Sequence, residues 1–169
     1  MALESNTGLG VFNNYGTRDV EGKFGAEIGS SPLKTVVYDI DHTDLDSTTP
    51  DTYSALDYVF PVGSVFVSAQ IVVETAVVGP TAINVGTYTF NASTKAVTAH
   101  DLDGLVATVA VTALDAVGDR VVGGGALVLT GTGAAFAVAA PVVVRIDPTV
   151  AAATAGKFRV YVTYYHPQP

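Results

Sequence analysis

The sequence predicts an all-β chain, and three observations carry that expectation. From Thr35 onward, Val-rich segments alternate apolar and polar residues with a period of two. Gly, Pro and Asp clusters punctuate these segments at short intervals. Residues 1–33, by contrast, are rich in Gly, Asn, Ser and isolated charges and hold no apolar period long enough for a core element. Short strands parted by such turns favour a two-sheet β-sandwich or jelly-roll-like domain. No fixed-period repeat points to a solenoid or propeller. The chain therefore divides into an extended N-terminal arm over 1–33 and a β-sandwich domain over 34–169.

The arm comes first. Leu9-Gly-Val-Phe-Asn-Asn-Tyr-Gly sets small and aromatic residues among glycines that weaken any helix. Thr17-Arg-Asp-Val-Glu-Gly-Lys-Phe-Gly continues in the same character. Phe12, Tyr15 and Phe24 are large apolar groups, unusual in a purely disordered tail. They mark the arm as a segment that orders against a partner or against its own domain.

Lys34–His42 alternates as a strand, with Val36, Tyr38 and Ile40 on one face and Val37, Asp39 and Asp41 on the other. Thr48-Thr-Pro-Asp is a turn signal, and Tyr58-Val-Phe is stopped by Pro61 and Gly63. Ser64–Val77 is the strongest strand, predicted to present Val65, Val67, Ala69, Ile71 and Val73 on one face. Its other face is marked as partly wet by Ser68, Gln70 and Glu74. Gly79-Pro80 turns the chain, and Ile83–Phe90 is expected to pair back as its hairpin partner. Over Leu105–Val117, Val106, Ala110, Ala113 and Val117 fit a helical stripe, with Asp101 or Asp103 as a cap and Gly118 as a stop. The β-branched content argues for a strand, but a short helix is the expectation. Gly123-Gly-Gly breaks the chain before Ala126-Leu-Val-Leu-Thr. Pro141–Pro148 reads as a strand closed at both ends by proline, and Lys157–Tyr165 as a final strand of strong β-propensity.

At 169 residues one domain can bury a core without metal or disulfide staples. Charged residues make up 14%, against roughly 25% in ordinary soluble domains, so much of the exterior is expected to be covered by other protein. The longest apolar run, Ala134–Val144, is interrupted by Pro141 and is too short for a membrane helix, which needs about 20 residues. The start, Met1-Ala-Leu-Glu-Ser-Asn-Thr-Gly, has neither a basic nor an apolar signal region, so synthesis in the cytosol is expected. The lack of cysteine rules out disulfides and thiolate chemistry. A net charge of −8 without a Lys/Arg cluster argues against nucleic-acid binding.

Candidate chemistry is sparse. Asp39-Ile-Asp-His-Thr-Asp-Leu-Asp, residues 39–46, sets four carboxylates and one imidazole in eight residues, and on a strand Asp39 and Asp41 share a face, which allows a shallow calcium site. The EF-hand spacing is missing, and a solvated strand end running into an Asp-rich turn is the favoured reading. His42, His100 and His166 lie far apart and form no paired-His motif. No nucleophile elbow, Walker A loop or dinucleotide fingerprint occurs. Gly123-Gly-Gly and Gly131-Thr-Gly read as turns or bulges. Asn91-Ala-Ser matches the glycosylation triplet, a match expected to be chance if the chain is not exported. No catalytic group, cofactor or metal is assigned, and an enzyme is not expected. Arg18, Lys23 and Lys34 lie in or next to the arm, interleaved with Asp19, Glu21 and Glu27, a pattern suited equally to solvation and to ion pairing with a partner.

Gly10-Val-Phe-Asn-Asn-Tyr-Gly-Thr-Arg-Asp-Val-Glu-Gly-Lys-Phe-Gly and Val37-Tyr-Asp-Ile-Asp resemble the start of tailed-phage virion proteins. With Phe60-Pro-Val-Gly-Ser-Val-Phe-Val-Ser-Ala, Asp103-Gly-Leu-Val-Ala-Thr, Gly118-Asp-Arg-Val-Val-Gly-Gly-Gly-Ala-Leu-Val and Ala155-Gly-Lys-Phe-Arg-Val-Tyr-Val-Thr-Tyr, the chain is similar to the head decoration, or cement, proteins of short-tailed bacteriophages. The likeness implies a jelly-roll-like domain on the capsid exterior that clamps neighbouring major capsid protein subunits. It also implies a homo-oligomer, a trimer ahead of a dimer. The arm residues Phe12, Asn13, Asn14, Tyr15, Arg18, Lys23 and Phe24 would then contact the capsid. A carbohydrate-binding sandwich or fibre-base protein is the alternative. It would need exposed aromatic platforms, yet the chain has no Trp, and Tyr161, Tyr164 and Tyr165 fall in a strand.

Overall fold

The computed structural model describes residues 33–45, 51–52, 58–94, 96–127 and 140–165. The predicted arm residues Phe12, Asn13, Asn14, Tyr15, Arg18, Lys23 and Phe24 lie outside them, as do the turn at 48–50 and Val128-Leu-Thr. Eight strands follow in order: β1 (Leu33–Asp41), β2 (Asp51–Thr52), β3 (Val65–Val78), β4 (Ala82–Phe90), β5 (Val97–Ala110), β6 (Arg120–Val122), β7 (Val142–Thr149) and β8 (Ala155–Tyr165). They form two four-stranded sheets, ordered β1-β8-β3-β6 and β2-β7-β4-β5. The chain is thus the predicted all-β sandwich.

Its pairing has a simple logic. β1 pairs with β8, β2 with β7, β3 with β6 and β4 with β5, all antiparallel. This is one long hairpin folded over itself. The additional β3–β8 and β4–β7 ladders are the seams where the folded hairpin meets itself. Among the described strands only the β4–β5 connection stays within a sheet. Asn91 closes that turn, its Oδ1 accepting the backbone N–H groups of Ser93 and Thr94 at 3.0 and 3.1 Å.

Alternation buries one face of each sheet. Val36, Tyr38 and Ile40 of β1 are buried as predicted, and Phe158, Val160, Val162 and Tyr164 of β8 lie beside them. Ile83 and Val85 of β4, with Val142, Val144 and Ile146 of β7, close the core from the second sheet. Phe60 anchors one end of that core through reciprocal backbone hydrogen bonds with Val142, at 2.8 and 3.1 Å. Its ring packs edge-on against Phe66, Tyr164 and Tyr58 at centroid distances of 5.0, 4.9 and 4.9 Å. The Tyr58 and Tyr164 hydroxyls are hydrogen-bonded to each other.

Three sequence expectations are corrected. In β3 the pairing slips between Phe66 and Ser68, so the buried set is Phe66, Ala69, Ile71, Val73 and, beyond a further slip, Val77; Val65 and Val67 are only partly buried. A β-bulge inserts one residue and reverses the phase N-terminal to it. β4 does not pair back on β3: Gly79, at φ +117°, and Pro80 carry the chain across to the other sheet, where β4 lies between β7 and β5. A Cβ on Gly79 would sit 2.4 Å from the Ala152 carbonyl oxygen, so the crossing needs glycine for space as well as for φ.

Finally, Leu105–Val117 is not a helix. It completes β5 and then makes a single 3-10 turn at Val111–Ala113. Of the supposed stripe only Val106 is buried, while Ala110, Ala113 and Val117 are exposed. β-branched residues paired against β4 decide the outcome.

Candidate functional site

The outer face of the β1-β8-β3-β6 sheet is built from cross-strand rows. Thr35, Thr163 and Ser68 form one, and Val37, Tyr161, Gln70 and Val122 the next; Asp39, Arg159, Val72 and Arg120 follow. The Thr35 and Thr163 hydroxyls are hydrogen-bonded at 3.0 Å. In the third row Arg159 Nε donates to Asp39 Oδ1 at 2.6 Å, and Arg159 Nη2 lies 3.0 Å from Glu74 Oε1. Lys157 Nζ is 3.3 Å from Glu74 Oε2. Glu74 sits at a second irregularity of β3, between Val73 and Thr75. These two acids and two bases compensate one another across three strands. The hydrogen bond to Asp39, ahead of the Coulombic attraction of Asp39 and Glu74, raises the Arg159 pKa above its ordinary value.

This network absorbs the first acid of the predicted Asp cluster. The others shape the turn that follows β1. The Asp41 N–H donates to Asp44 Oδ2 at 2.9 Å, and the Thr43 N–H donates to Asp41 Oδ1 at 3.2 Å. His42 Nδ1 is 2.8 Å from Asp41 Oδ1. Leu45, at the end of the 3-10 turn His42–Leu45, plugs the core. The solvated strand end running into an Asp-rich turn is therefore what Asp39–Leu45 forms; Asp46 lies outside the described residues. Among the described residues no three His, Asp or Glu side chains converge as a metal would require.

On the other sheet, sequence reasoning missed Arg145. It lies in β7 opposite Gly86 of β4 and is fully buried. Asp147 Oδ2 lies 3.0 Å from its Nη2, and the Tyr88 ring 4.9 Å from its guanidinium carbon. Among the described residues neither Nε nor Nη1 meets a hydrogen-bond acceptor, and the Asp147 contact is an ion pair outside the donor direction of Nη2. The signal was present in Val142-Val-Val-Arg-Ile-Asp: a base and an acid two residues apart, hence on one strand face, inside an apolar run.

Of the exposed large apolar side chains among the described residues, Val97 and Leu102 lie along β5 and Val122 on β6, and the others lie at the two ends of the sandwich. Leu33, Val62 and Tyr165 are exposed at the end where β1 starts and β8 finishes. Val78, Val117 and Val150 are exposed at the opposite end. Tyr164 of the predicted tyrosine group is buried, Tyr161 faces outward from the ion-paired sheet, and Tyr165 is exposed. No helix among the described residues is long and apolar enough to cross a membrane.

Comparison with protein families, with curated proteins and with solved structures gives no match.

Proposed function

We propose that this chain is a structural virion protein that binds the outside of a phage capsid and stabilises it by bridging neighbouring major capsid subunits. The observation that carries the reading is the pairing of β1 with β8, β2 with β7, β3 with β6 and β4 with β5, which supports a jelly roll of two interleaved sheets. The resemblance of the sequence to decoration proteins of short-tailed phages points the same way, and both are arguments by analogy of fold and family. The reading requires no catalysis and no cofactor. The protein works by contact area: each subunit contributes a few contacts, and repetition around a closed shell multiplies them. A homo-oligomer, trimer before dimer, presents several such contacts at once. The arm, through Phe12, Tyr15 and Phe24, supplies apolar anchors on the shell.

The test is co-sedimentation of the purified chain with capsid shells of the phage that encodes it, alongside light scattering for its mass. The full chain should sediment with the shells, and a version lacking residues 1–30 should fold and assemble alike but stay in solution. A full chain that remains in the supernatant as a monomer overturns the proposal. A truncated chain that decorates shells normally removes the arm from it.

A further inference from the structure

The outer face of the β1-β8-β3-β6 sheet runs from an apolar end to a charged one. Leu33, Tyr165 and Val65 form the row at the apolar end, with Leu33 36% and Tyr165 43% exposed. The row of Asp39, Arg159, Val72 and Arg120 lies toward the other end. Every residue in these rows and in the two between them is half-buried or exposed.

The rows also change character from edge to edge. In the charged row the acid, Asp39, stands on β1 and the outermost base, Arg120, on β6, at opposite edges of the sheet. Arg120 is exposed and has no ion-pair partner among the described residues. Its neighbour Asp119 instead accepts the Ala116 N–H at 2.8 Å. In the adjoining row Val37 and Val122 hold the two edges, with Tyr161 and Gln70 between them, and Val122 is 61% exposed.

Such a face is complementary to its own reverse. Half a turn about an axis parallel to the strands, between β8 and β3, lays a second copy on the first with every row kept and its order reversed. β1 then lies over β6 of the second copy, and β8 over its β3. Asp39 meets Arg120, Val37 meets Val122, Tyr161 meets Gln70 and Arg159 meets Val72, each contact being made twice. In neither row does a charge meet its like. The apolar row meets itself. A two-fold axis running across the strands would instead press Leu33, Tyr165 and Val65 onto the charged end and desolvate it.

We infer that this chain pairs with a second copy of itself through the outer face of the β1-β8-β3-β6 sheet, about a two-fold axis parallel to the strands. The inference rests on the homo-oligomer in the reading above and selects the dimer. Tyrosine and arginine at the middle of the face suit an interface core. The nine residues of β1 and the four strands give a face of roughly 30 Å by 15 Å, so two copies cover on the order of 1,000 Å², the lower bound of a specific interface. The pair therefore dissociates on dilution.

The test is the sedimentation-equilibrium mass of the full chain across the micromolar range, for the wild type, Arg120→Glu, Asp39→Lys and an equal mixture of the two variants. The wild type should pass from the mass of one chain to that of two as concentration rises. Arg120→Glu sets acid against acid at both contacts and should self-associate about tenfold more weakly or worse. It should melt as the dilute wild type does, because Arg120 has no ion pair among the described residues of its own chain. Asp39→Lys sets base against base and should weaken association likewise. The mixture brings opposite charges together at both contacts again and should recover the mass of two chains. A wild type that stays at one chain or settles at three, unchanged association in Arg120→Glu, or no recovery in the mixture would each overturn the interface. Shells play no part in these measurements, so such results leave capsid binding to the co-sedimentation test. A chain that pairs but ignores shells overturns the capsid reading and leaves this interface standing.

Discussion

Arg159 donates through Nε to Asp39 Oδ1 at 2.6 Å, joining directly opposed residues of β8 and β1. The same guanidinium reaches Glu74 on β3 through Nη2, at 3.0 Å. One side chain thus ties three neighbouring strands on a solvent-facing sheet. A planar fork with several donors suits this task, and a lysine ammonium does not.

Replacing Arg159 by Met should therefore lower stability slightly, and the deficit should shrink at high salt because the groups are partly exposed. The pH behaviour follows from the direction of the shift. A pKa raised on folding stabilises fully below the unfolded value and is lost only as pH rises through the folded one. The Arg159 guanidinium accordingly contributes no change between about pH 7 and about pH 10. Urea unfolding of wild type and Arg159→Met at two salt concentrations and across that pH range checks both statements.

Arg145 predicts an asymmetry. Removing Asp147 strands a buried guanidinium that already lacks acceptors at Nε and Nη1, so Asp147→Ala should cost about 3–5 kcal/mol. Arg145→Met replaces the charge with an apolar chain of similar length and should cost far less. Arg145→Met placed on top of Asp147→Ala should recover most of the loss. Denaturant midpoints of the three variants, compared as a double-mutant cycle, measure the coupling.

Two glycines should respond in opposite ways to alanine. A Cβ at Gly86 would lie 2.1 Å from the Asp101 carbonyl oxygen, where β5 folds over β4, and backbone cannot yield cheaply. Gly86→Ala should therefore destabilise by at least about 1–3 kcal/mol. Gly124 has open space around its missing Cβ, so Gly124→Ala should be neutral or stabilising by up to about 1 kcal/mol. Thermal melts of the pair decide it.

Phe60→Ala should be among the most damaging substitutions, at about 3–5 kcal/mol, because the ring contacts Tyr58, Phe66 and Tyr164 and is wholly buried. The near-ultraviolet circular dichroism of the clustered tyrosines should fall with it.

These residues also mark how far the sequence could be read. Alternation gave β1, whose phase nothing interrupts, while flanking prolines marked β7 and β-propensity marked β8. Bulges defeated the same rule in β3, because an inserted residue leaves no signature in the pattern of apolar residues. In β5 the pairing steps from Val109 opposite Ile83 to Val106 opposite Val85, and the extra residue breaks the alternation inside the segment that carries the helical spacing. Sheet membership was equally hidden: Gly79-Pro80 signals a turn in both a hairpin and a crossing, and only the pairing partner distinguishes them. The Asp39–Leu45 turn was legible because each acid acts on groups within a few residues or directly across the strand. Arg145 was not singled out, since its meaning depends on a partner strand.

The Thr35–Thr163 contact spans 128 positions of the chain, and β8 lies between β1 and β3. While the polypeptide is being made, the first sheet has a gap at its centre that closes only when β8 emerges from the ribosome. Such distant pairings are slow, forming in the millisecond-to-second range. Until then β1 and β3 expose unpaired edges to other nascent copies. Yield of native protein should therefore be limited by crowding during synthesis, and slower expression at lower temperature should favour it.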